Sequence, residues 1–300
     1  MKNKALIPWL LLLLLACIWG SSFILMKRGM ETADGKAIFS DTQVGALRMT
    51  IAGFVMLPFG LFSLKRIKSK KDFFALLVVG SCGNLFPAFL FTYAETKLSS
   101  GLAGILNGFT PFFAIILGWI FLNKKATLQQ IIGLSVAFIG MMLVVSFGAD
   151  KKTDTDFLHV GAIILATVFY GTSLNTIKHF LSEYKSWEIT ALSFTFMFTP
   201  AVLIALFLKV PHTLLTNPHG FEGFGYIVIL AVVGTCMALV IFNRLIASKS
   251  VVFASSVTYL MPIVAVGMGV VFAKEEFVVW QLIGMFVVIG GVYFANRIKA

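Results

Sequence analysis

The chain has 300 residues, of which 59% are hydrophobic and only 12% are charged. Soluble proteins contain about 45 to 50% apolar and about 25% charged residues, and a soluble globule with the present composition would expose more apolar surface than water tolerates. The composition therefore predicts a protein embedded in a lipid bilayer. It disfavours a soluble enzyme, a nucleic-acid-binding protein and a disordered chain, because disorder requires low hydrophobicity.

The charged residues are unbalanced, with 24 Lys and Arg against 13 Asp and Glu and a formal net charge of +11. In a soluble protein this excess would favour a nucleic-acid partner, but in a membrane protein it is typical of cationic loops on the cytoplasmic face. Cys17, Cys82 and Cys236 each lie in an apolar stretch without a CxxC or His-Cys cluster. We therefore expect no disulfide framework, no metal site, no cofactor and no nucleic-acid partner.

Ten stretches are long and apolar enough to be transmembrane helices, since a helix needs about 20 mostly apolar residues to cross roughly 30 Å of hydrocarbon. The predicted spans are 7–28, 43–64, 72–93, 99–122, 127–147, 158–181, 188–208, 223–246, 251–273 and 278–297. The connections between them are too short for a separate soluble domain. The sequence therefore predicts an all-α integral membrane protein with ten transmembrane helices.

The distribution of Lys and Arg over the connections predicts the orientation of these spans. With the N-terminus inside the cell, the cytoplasmic connections and ends carry 15 Lys and Arg residues, and the opposite connections carry 8. Cytoplasmic loops are enriched in these residues, so we expect both termini in the cytoplasm and a multi-pass protein in the cytoplasmic (inner) membrane. The remaining cation, Arg48, lies within the second predicted span.

An internal repeat recurs at a constant offset of 151 residues. WGSS at 19–22 aligns with YGTS at 170–173, and scarce residue types fall in the same register: Lys27 with Lys178, Pro111 with Pro262 and Gln130 with Gln281. The register predicts two five-helix units, which occupy 1–148 and 158–300 and are joined by a linker loop at 149–157.

Each predicted unit contains an odd number of spans, so two consecutive units must enter the membrane in opposite orientations. They would then be related by a pseudo-two-fold axis in the membrane plane. Many secondary transporters use this arrangement to present one central site alternately to the two sides of the membrane. The predicted fold is therefore two inverted five-helix repeats around a central cavity.

Several segments resemble a known family when their order and duplication are considered together. They are the WGSSF opening of the first span followed by Lys27, the YGTS of the sixth, the proline segments GLAGILNGFTPFFAIILGWIFL and VVFASSVTYLMPIVAVGMGVVF, and the closing helices QQIIGLSVAFIGMMLVV and WQLIGMFVVIGGVYFA. This set resembles the EamA-type ten-helix exporters of the drug/metabolite transporter superfamily. That family usually has Gly-Glu after the fourth helix of each half. Glu275 supplies the acid in the second half, whereas Asn123-Lys124 replaces the pair in the first.

The resemblance implies a basket of helices with a cavity built mainly from spans 1, 3, 4, 6, 8 and 9. Spans 5 and 10 would lie outside, where they are available for a homodimer contact. Substrates across the family are amino acids, other metabolites and drugs. The implied function is export of a small-molecule substrate by alternating access across the bilayer.

Polar residues within the spans are the candidates for substrate binding, because an unpaired polar group in lipid costs several kcal/mol. The predicted cavity residues are Trp19, Ser22, Lys27, Asn84, Asn107, Thr110, Tyr170, Ser173, Asn175, Thr258 and Tyr259. Pro111 and Pro262 are predicted helix breaks or hinges, since proline removes a backbone donor and frees a carbonyl. The alternative is that these residues serve helix packing and harmless kinks.

The carboxylates are informative because all thirteen lie in predicted loops or at span ends. A proton-coupled exporter of organic cations is expected to have an acid near the middle of a span. We therefore predict neutral, zwitterionic or anionic substrates such as amino acids. Glu95, the nearest substitute acid, is predicted to be an exposed turn residue.

Two other classes of membrane protein remain as alternatives. A receptor or structural protein would share the composition, although it has no general need of two units with opposite orientation. An intramembrane enzyme would need an HExxH motif, clustered Asp residues or a buried Ser/His or Asp/Asp pair, and the four histidines are scattered near span ends and loops. The sequence therefore predicts that the protein is not an enzyme.

Overall fold

The computed structural model of the protein describes residues 2–98, 100–146, 157–264 and 278–297. Within these ranges the regular secondary structure is helical, apart from one isolated β-bridge between Glu31 and Ala37. Residues 149–156 of the predicted linker and the second part of the predicted span 251–273 lie outside the described residues.

Ten apolar helices follow one another along the described chain. They are α1 (Leu6–Met30), α2 (Asp41–Arg66), α3 (Lys70–Glu95), α4 (Leu102–Leu122), α5 (Leu128–Val144), α6 (Phe157–Phe180), α7 (Ser186–Phe207), α8 (Gly220–Ser248), α9 (Val251–Val264) and α10 (Val279–Asn296). Eight are long and apolar enough to cross a membrane, and α5 and α9 are shorter. The helices confirm the prediction of an all-α integral membrane protein, and the short helix Val210–Thr216 lies between α7 and α8.

Local capping signals set several helix ends. At the start of α2 the Ser40 hydroxyl accepts a hydrogen bond from the Gln43 amide at 3.2 Å, and the Gln43 side chain accepts one from the Ser40 amide at 3.0 Å. The Ser250 hydroxyl accepts from the Phe253 amide at the start of α9, and α4 ends at Asn123 in the left-handed conformation, with a φ of 53°. These caps set helix ends within two residues of the boundaries that the sequence predicted.

Two helices contain a widened π-helical turn at places that differ by 151 residues, Ser81–Leu85 in α3 and Val232–Met237 in α8. A π turn leaves backbone groups without their usual helical partners. Side chains satisfy two of these groups in the same way, because Asn84 donates to the Val79 carbonyl at 3.2 Å and Thr235 donates to the Leu230 carbonyl at 3.0 Å. Positions 151 residues apart thus share local backbone geometry as well as residue type.

Helices α5 and α10 pack against each other through glycines. A methyl group on Gly140 would lie 2.7 Å from the Val288 nitrogen, and one on Gly284 would lie 2.9 Å from the Val144 nitrogen. Residue numbers rise along α5 as they fall along α10, so the two helices run antiparallel. Small residues permit such close backbone approach, which is a main source of helix association in a membrane.

Two further contacts join the first and second halves of the chain. A methyl group on Gly234 of α8 would lie 2.8 Å from the Ser22 hydroxyl of α1, and one on Gly83 of α3 would overlap the Ser173 hydroxyl of α6. Because the offset of 151 relates Ser22 to Ser173 and Gly83 to Gly234, each half supplies the serine to one contact and the glycine to the other.

The outer surface of the helices carries many large apolar side chains. Phe62, Phe121 and Phe207 are at least 74% exposed. Exposed side chains of this size would be unfavourable in water, whereas hydrocarbon solvates them. The outer surface therefore fits a lipid environment.

The glycine contact between α5 and α10 generates a stability prediction with a neighbouring control. A methyl group on Gly291 would lie 2.7 Å from the Gly133 carbonyl oxygen, whereas one on Gly290 would meet nothing within 4 Å. We expect Gly291→Ala to destabilise the protein by about 1 to 3 kcal/mol through overpacking, and Gly290→Ala to leave it unchanged or stabilise it slightly. Thermal unfolding in detergent would test this, and equal melting temperatures for the two variants would contradict the packing described.

Candidate functional site

A cavity of about 140 Å³ lies between α1, α2, α3, α4, α6, α7, α8 and α9. The described parts of α5 and α10 contribute no side chain to its lining. The cavity therefore includes the six helices that the sequence implied. It also includes α2, through Arg48 and Met49, and α7, through Thr190 and Ser193.

Eight of the predicted site residues come together in this lining. They are Trp19, Ser22, Asn84, Asn107, Thr110, Tyr170, Ser173 and Thr258. Apolar and aromatic side chains fill the spaces between them, among them Phe23, Met26, Phe91 and Phe242. A mainly apolar pocket with a few converging polar groups is typical of a small-molecule site.

Three predicted site residues are not part of the lining. The Lys27 side chain is 67% exposed, and its ammonium lies 3.6 Å from the Glu31 carboxylate. Asn175 joins α6 to α4 by donating to the Ala114 carbonyl at 2.8 Å. Tyr259 is 0% exposed and packs in the protein interior. Among the described residues, Lys27 thus makes a contact at a helix end, whereas Asn175 and Tyr259 pack between helices.

The predicted helix breaks differ in their local structure. Helix α4 is interrupted at Gly108 and Phe109, and Pro111 lies in the first turn after the interruption. This break places Asn107 and Thr110 together, with the Thr110 hydroxyl donating to the Asn107 side-chain oxygen at 3.1 Å. Helix α9 is interrupted at Ser256, and Pro262 lies within the helical stretch after this interruption, where it packs near Gly104 of α4.

The π turns of α3 and α8 also supply polar groups to the cavity. Asn84 and Thr235 both line it from these turns. The Trp19 indole donates to the Gly234 carbonyl at 2.9 Å, within the π turn of α8. The widened turns therefore bring side chains and a backbone carbonyl of different helices to one place.

Two buried polar atoms of the lining have no hydrogen-bond partner. Asn243 is 3% exposed and donates to the Thr190 hydroxyl at 3.0 Å, but its side-chain oxygen accepts nothing. The Ser193 hydroxyl is fully buried and also lacks a partner. Because an unpaired buried polar group costs free energy, these groups are suited to contact a bound polar molecule or water.

Arg48 is the charged residue of this lining, and the predicted site residues did not include it. It is half-buried, and its Nε donates to the Thr235 hydroxyl at 2.8 Å. The signal was present in the sequence, since Arg48 is a lone cation within an apolar span. Intramembrane cations are costly and often functional.

Glu95 corrects an expectation from the sequence. It ends α3, but its Oε1 atom is buried and has no hydrogen-bond partner, so Glu95 is not the exposed turn residue that was predicted. The carboxylate interacts electrostatically with Arg48 and Lys27. No Arg48 nitrogen lies within 4.0 Å of a carboxylate oxygen in the described part of the chain. Glu95 therefore lies near the cavity cation without forming an ion pair with it.

The described residues offer no cluster of three or more His, Cys, Asp or Glu side chains that could hold a metal ion. Cys17, Cys82 and Cys236 are all free thiols. The chemistry of the cavity is therefore that of hydrogen bonds, one guanidinium group and apolar contact.

The chain is similar to named transporters along almost its whole length. It is 27% identical to the S-adenosylmethionine/S-adenosylhomocysteine transporter of Chlamydia muridarum, over 89% of this chain and 84% of that protein. It is 24% identical to a probable terminal-alkyne amino-acid exporter of Streptantibioticus cattleyicolor, over 95% and 92% of the two chains. A solved crystal structure with 14% sequence identity has the same fold, with a TM-score of 0.68 and 96% coverage of both chains.

The model of the EamA-like transporter family matches the chain twice, at residues 7–146 and 158–297. These two matches cover most of the chain, and the similar proteins named above are transporters rather than enzymes. The protein therefore belongs to the EamA-like transporter family.

Proposed function

We propose that the protein is a secondary-active exporter of small metabolites across the cytoplasmic membrane, and that it works by alternating access. Its substrates are neutral, zwitterionic or anionic solutes, with amino acids as the leading class. The observation that carries this proposal is the cavity with converging polar groups between helices from both halves of the chain. The similar proteins named as transporters of S-adenosylmethionine/S-adenosylhomocysteine and of a terminal-alkyne amino acid support amino acids and their derivatives as the leading class.

An inverted repeat supplies the mechanism, and two kinds of contact support it. Helices α5 and α10 fall in equivalent places of the repeat, and their glycine contacts have them running antiparallel. The two serine–glycine contacts are equivalent: Ser22 of the first half meets Gly234 of the second, and Ser173 of the second half meets Gly83 of the first. A two-fold axis requires this arrangement. A pseudo-two-fold axis in the membrane plane lets the halves exchange conformations, so that the cavity opens to each side in turn.

The side of the protein that we assign to the cytoplasm is held together by Lys178. Its ammonium donates to the carbonyls of Ile246 at 2.8 Å, Ala247 at 3.2 Å and Lys249 at 2.8 Å. A cation that caps the C-terminal carbonyls of a helix is favourable, and this one ties the end of α6 to the end of α8. We propose that this contact keeps the cavity closed toward the cytoplasm.

Lys27 is the repeat counterpart of Lys178 and has a different contact. Its ammonium pairs with Glu31 and its side chain is largely exposed. The repeat offset relates the carbonyls capped by Lys178 to residues 95, 96 and 98 at the end of α3. In the proposed opposite state, Lys27 caps that helix end and Lys178 releases α8. Each lysine would therefore act as a latch, that is, a helix-capping contact that closes the cavity: Lys178 on the cytoplasmic side in one state, and Lys27 on the external side in the other.

A second set of contacts lies on the same proposed cytoplasmic side. The Tyr184 hydroxyl contacts the Arg66 carbonyl and the Asp72 carboxylate, both at 2.9 Å. Burial, together with the hydrogen bond to Asp72, raises the pKa of Tyr184 to about 12. Tyr184 therefore remains a neutral donor at physiological pH, and it joins the connection after α6 to the end of α2 and the start of α3.

Transport itself is tested by reconstitution. We expect proteoliposomes that contain the protein and unlabelled amino acids to accumulate labelled L-leucine, L-methionine or L-phenylalanine by counterflow, and overexpressing cells to enrich the same class of solute in their medium. Absence of flux above protein-free liposomes for every solute would refute a transporter of this class. A strong preference for quaternary ammonium compounds would refute the proposed substrate charge.

The latch is tested by Lys178→Met, which removes three hydrogen bonds from a charged donor. With Asn243→Cys as the reporter, in a background without the native cysteines, we expect maleimide labelling from the cytoplasmic side to rise by about tenfold or more. Lys249→Met is the control, because it keeps the carbonyl that Lys178 caps. Equal labelling of the two variants would exclude a latch at Lys178.

The orientation is tested with single cysteines and a membrane-impermeant maleimide in intact cells. A cysteine between α1 and α2, at Asp34, should react from outside, because we assign this connection to the external face. A cysteine at Lys68, between α2 and α3, should be protected until the cells are permeabilised. The reverse pattern would invert the topology.

A further inference from the structure

Arg48 occupies an unusual position for a guanidinium group, because it lies in a cavity between membrane helices and has no ion-pair partner among the described residues. It lines the cavity from α2, and the described lining contains no Asp or Glu. Glu95 is a counter-charge at longer range, but no described carboxylate lies within ion-pair distance, and a partly desolvated cation without a direct ion pair is costly. Its presence therefore points to an anionic group that arrives with a ligand.

Among the described residues, one hydrogen bond positions the Arg48 guanidinium. Its Nε donates to the Thr235 hydroxyl at 2.8 Å, and that hydroxyl donates in turn to the Leu230 carbonyl at 3.0 Å. The Thr235 hydroxyl hydrogen is thus directed away from Arg48, and its oxygen accepts the Nε–H group. This chain of hydrogen bonds starts in the π turn of α8 and fixes the guanidinium without neutralising it.

Most of the donors of Arg48 remain available. An arginine carries five N–H donors in a planar fork, and the hydrogen bond to Thr235 uses the one on Nε. The terminal nitrogens form no hydrogen bond with the described residues. A planar carboxylate can accept two parallel hydrogen bonds from such a fork, which adds geometric selectivity to the charge attraction.

The surroundings of Arg48 specify the rest of the ligand. Phe91 and Tyr170 lie with ring centroids 6.0 Å apart, and both line the cavity together with Arg48. Phe23, Met26 and Leu230 belong to the same apolar cluster and also line the cavity. A highly charged phosphate would find one cation and mostly apolar walls here. A monocarboxylate with an apolar body would match both the charge and the walls.

Asn84 could serve a second polar group on such a ligand. Its amide nitrogen donates to the Val79 carbonyl, and its side-chain oxygen forms no hydrogen bond with the described residues. This oxygen belongs to a cavity-lining residue on the π turn of α3. An acceptor of this kind fits the ammonium of an α-amino acid.

We infer that Arg48 binds the carboxylate of the transported solute, and that the cavity is selective for monocarboxylates with an apolar body, including apolar α-amino acids. This inference rests on the proposed transport function and names the substrate class of the same cavity. Thr235 acts as the positioning residue for Arg48. Carboxylate binding and transport can be measured separately, so the two proposals can fail separately.

Binding is tested first, with purified full-length protein in detergent. The probes are L-phenylalanine, L-leucine, L-methionine and 3-phenylpropionate, each compared with its amide or methyl ester, which lacks the carboxylate charge. We expect at least one carboxylate to raise the melting temperature, and its amide or ester to have little effect. If no carboxylate stabilises the protein, or if the amides and esters do so equally well, the inference is overturned.

Variants then assign the effect to Arg48. We expect Arg48→Gln to weaken binding of the stabilising carboxylate by about 10- to 100-fold, the range for losing a hydrogen-bonded charge, and Arg48→Lys to retain part of the affinity. Thr235→Val should weaken binding less and keep the preference for the carboxylate. Arg28→Gln, which removes a cation at the far end of α1, is the control for overall charge. If Arg48→Gln does not fold, the lysine and Thr235 variants carry the test, and unchanged affinity in both would overturn it.

Counterflow of the same labelled carboxylate separates this inference from the transport proposal. Carboxylate binding that depends on Arg48, without flux in proteoliposomes, would support the Arg48 site and refute transport. Flux that persists at the wild-type rate and affinity in Arg48→Gln would refute the site and leave transport standing. Loss of both binding and flux in Arg48→Gln, with wild-type behaviour in Arg28→Gln, is the expected result.

Discussion

A bilayer offers no hydrogen-bond partners, so each polar group within a span must find one inside the protein. Asn175 meets this requirement by bridging α6 to α4, and Asn84 and Thr235 meet it within the π turns. Ser193 and one oxygen of Asn243 do not, and both residues line the cavity. Buried side-chain atoms without a partner also occur outside the lining, at Thr50, Glu95 and Tyr259, but those of Ser193 and Asn243 belong to residues that a solute in the cavity can reach.

The two halves share a packing scheme but differ in charge. The serine and glycine contacts occur in both halves, and so do the π turns. Arg48 and Glu95 lie in the first half, and the guanidinium is held by Thr235 of the second. In the proposed mechanism, symmetric packing would allow the halves to exchange conformations, whereas binding an asymmetric solute would require different groups at its two ends. The described structure fits both requirements, because the two halves have equivalent backbone contacts but different side chains in the cavity.

The sequence predicted the helical fold and much of the cavity lining, and its failures have a common physical cause. Hydropathy sets how deep a residue lies, but in helices that are apolar on every side it does not set which way the residue faces. Thr258 and Tyr259 are neighbours at the same depth, yet only Thr258 lines the cavity. Glu95 was misjudged for a related reason, since a helix end can be covered by other helices. The absence of mid-span acids therefore gave weaker support for the substrate charge than the position of Arg48 now does.

The location of Arg48 also bears on how binding could drive the conformational change. The guanidinium belongs to α2, while the hydroxyl that orients it belongs to α8 in the other half. A carboxylate that neutralises Arg48 lowers the free-energy cost of keeping the guanidinium away from water. In the proposed mechanism, the free energy gained would depend on how tightly the two halves close around the guanidinium. A ligand shifts a conformational equilibrium only as far as its affinities for the two states differ. In the proposed mechanism, the half-buried Arg48 would supply such a difference, because its charge, without a direct ion pair, would be most costly in the closed form.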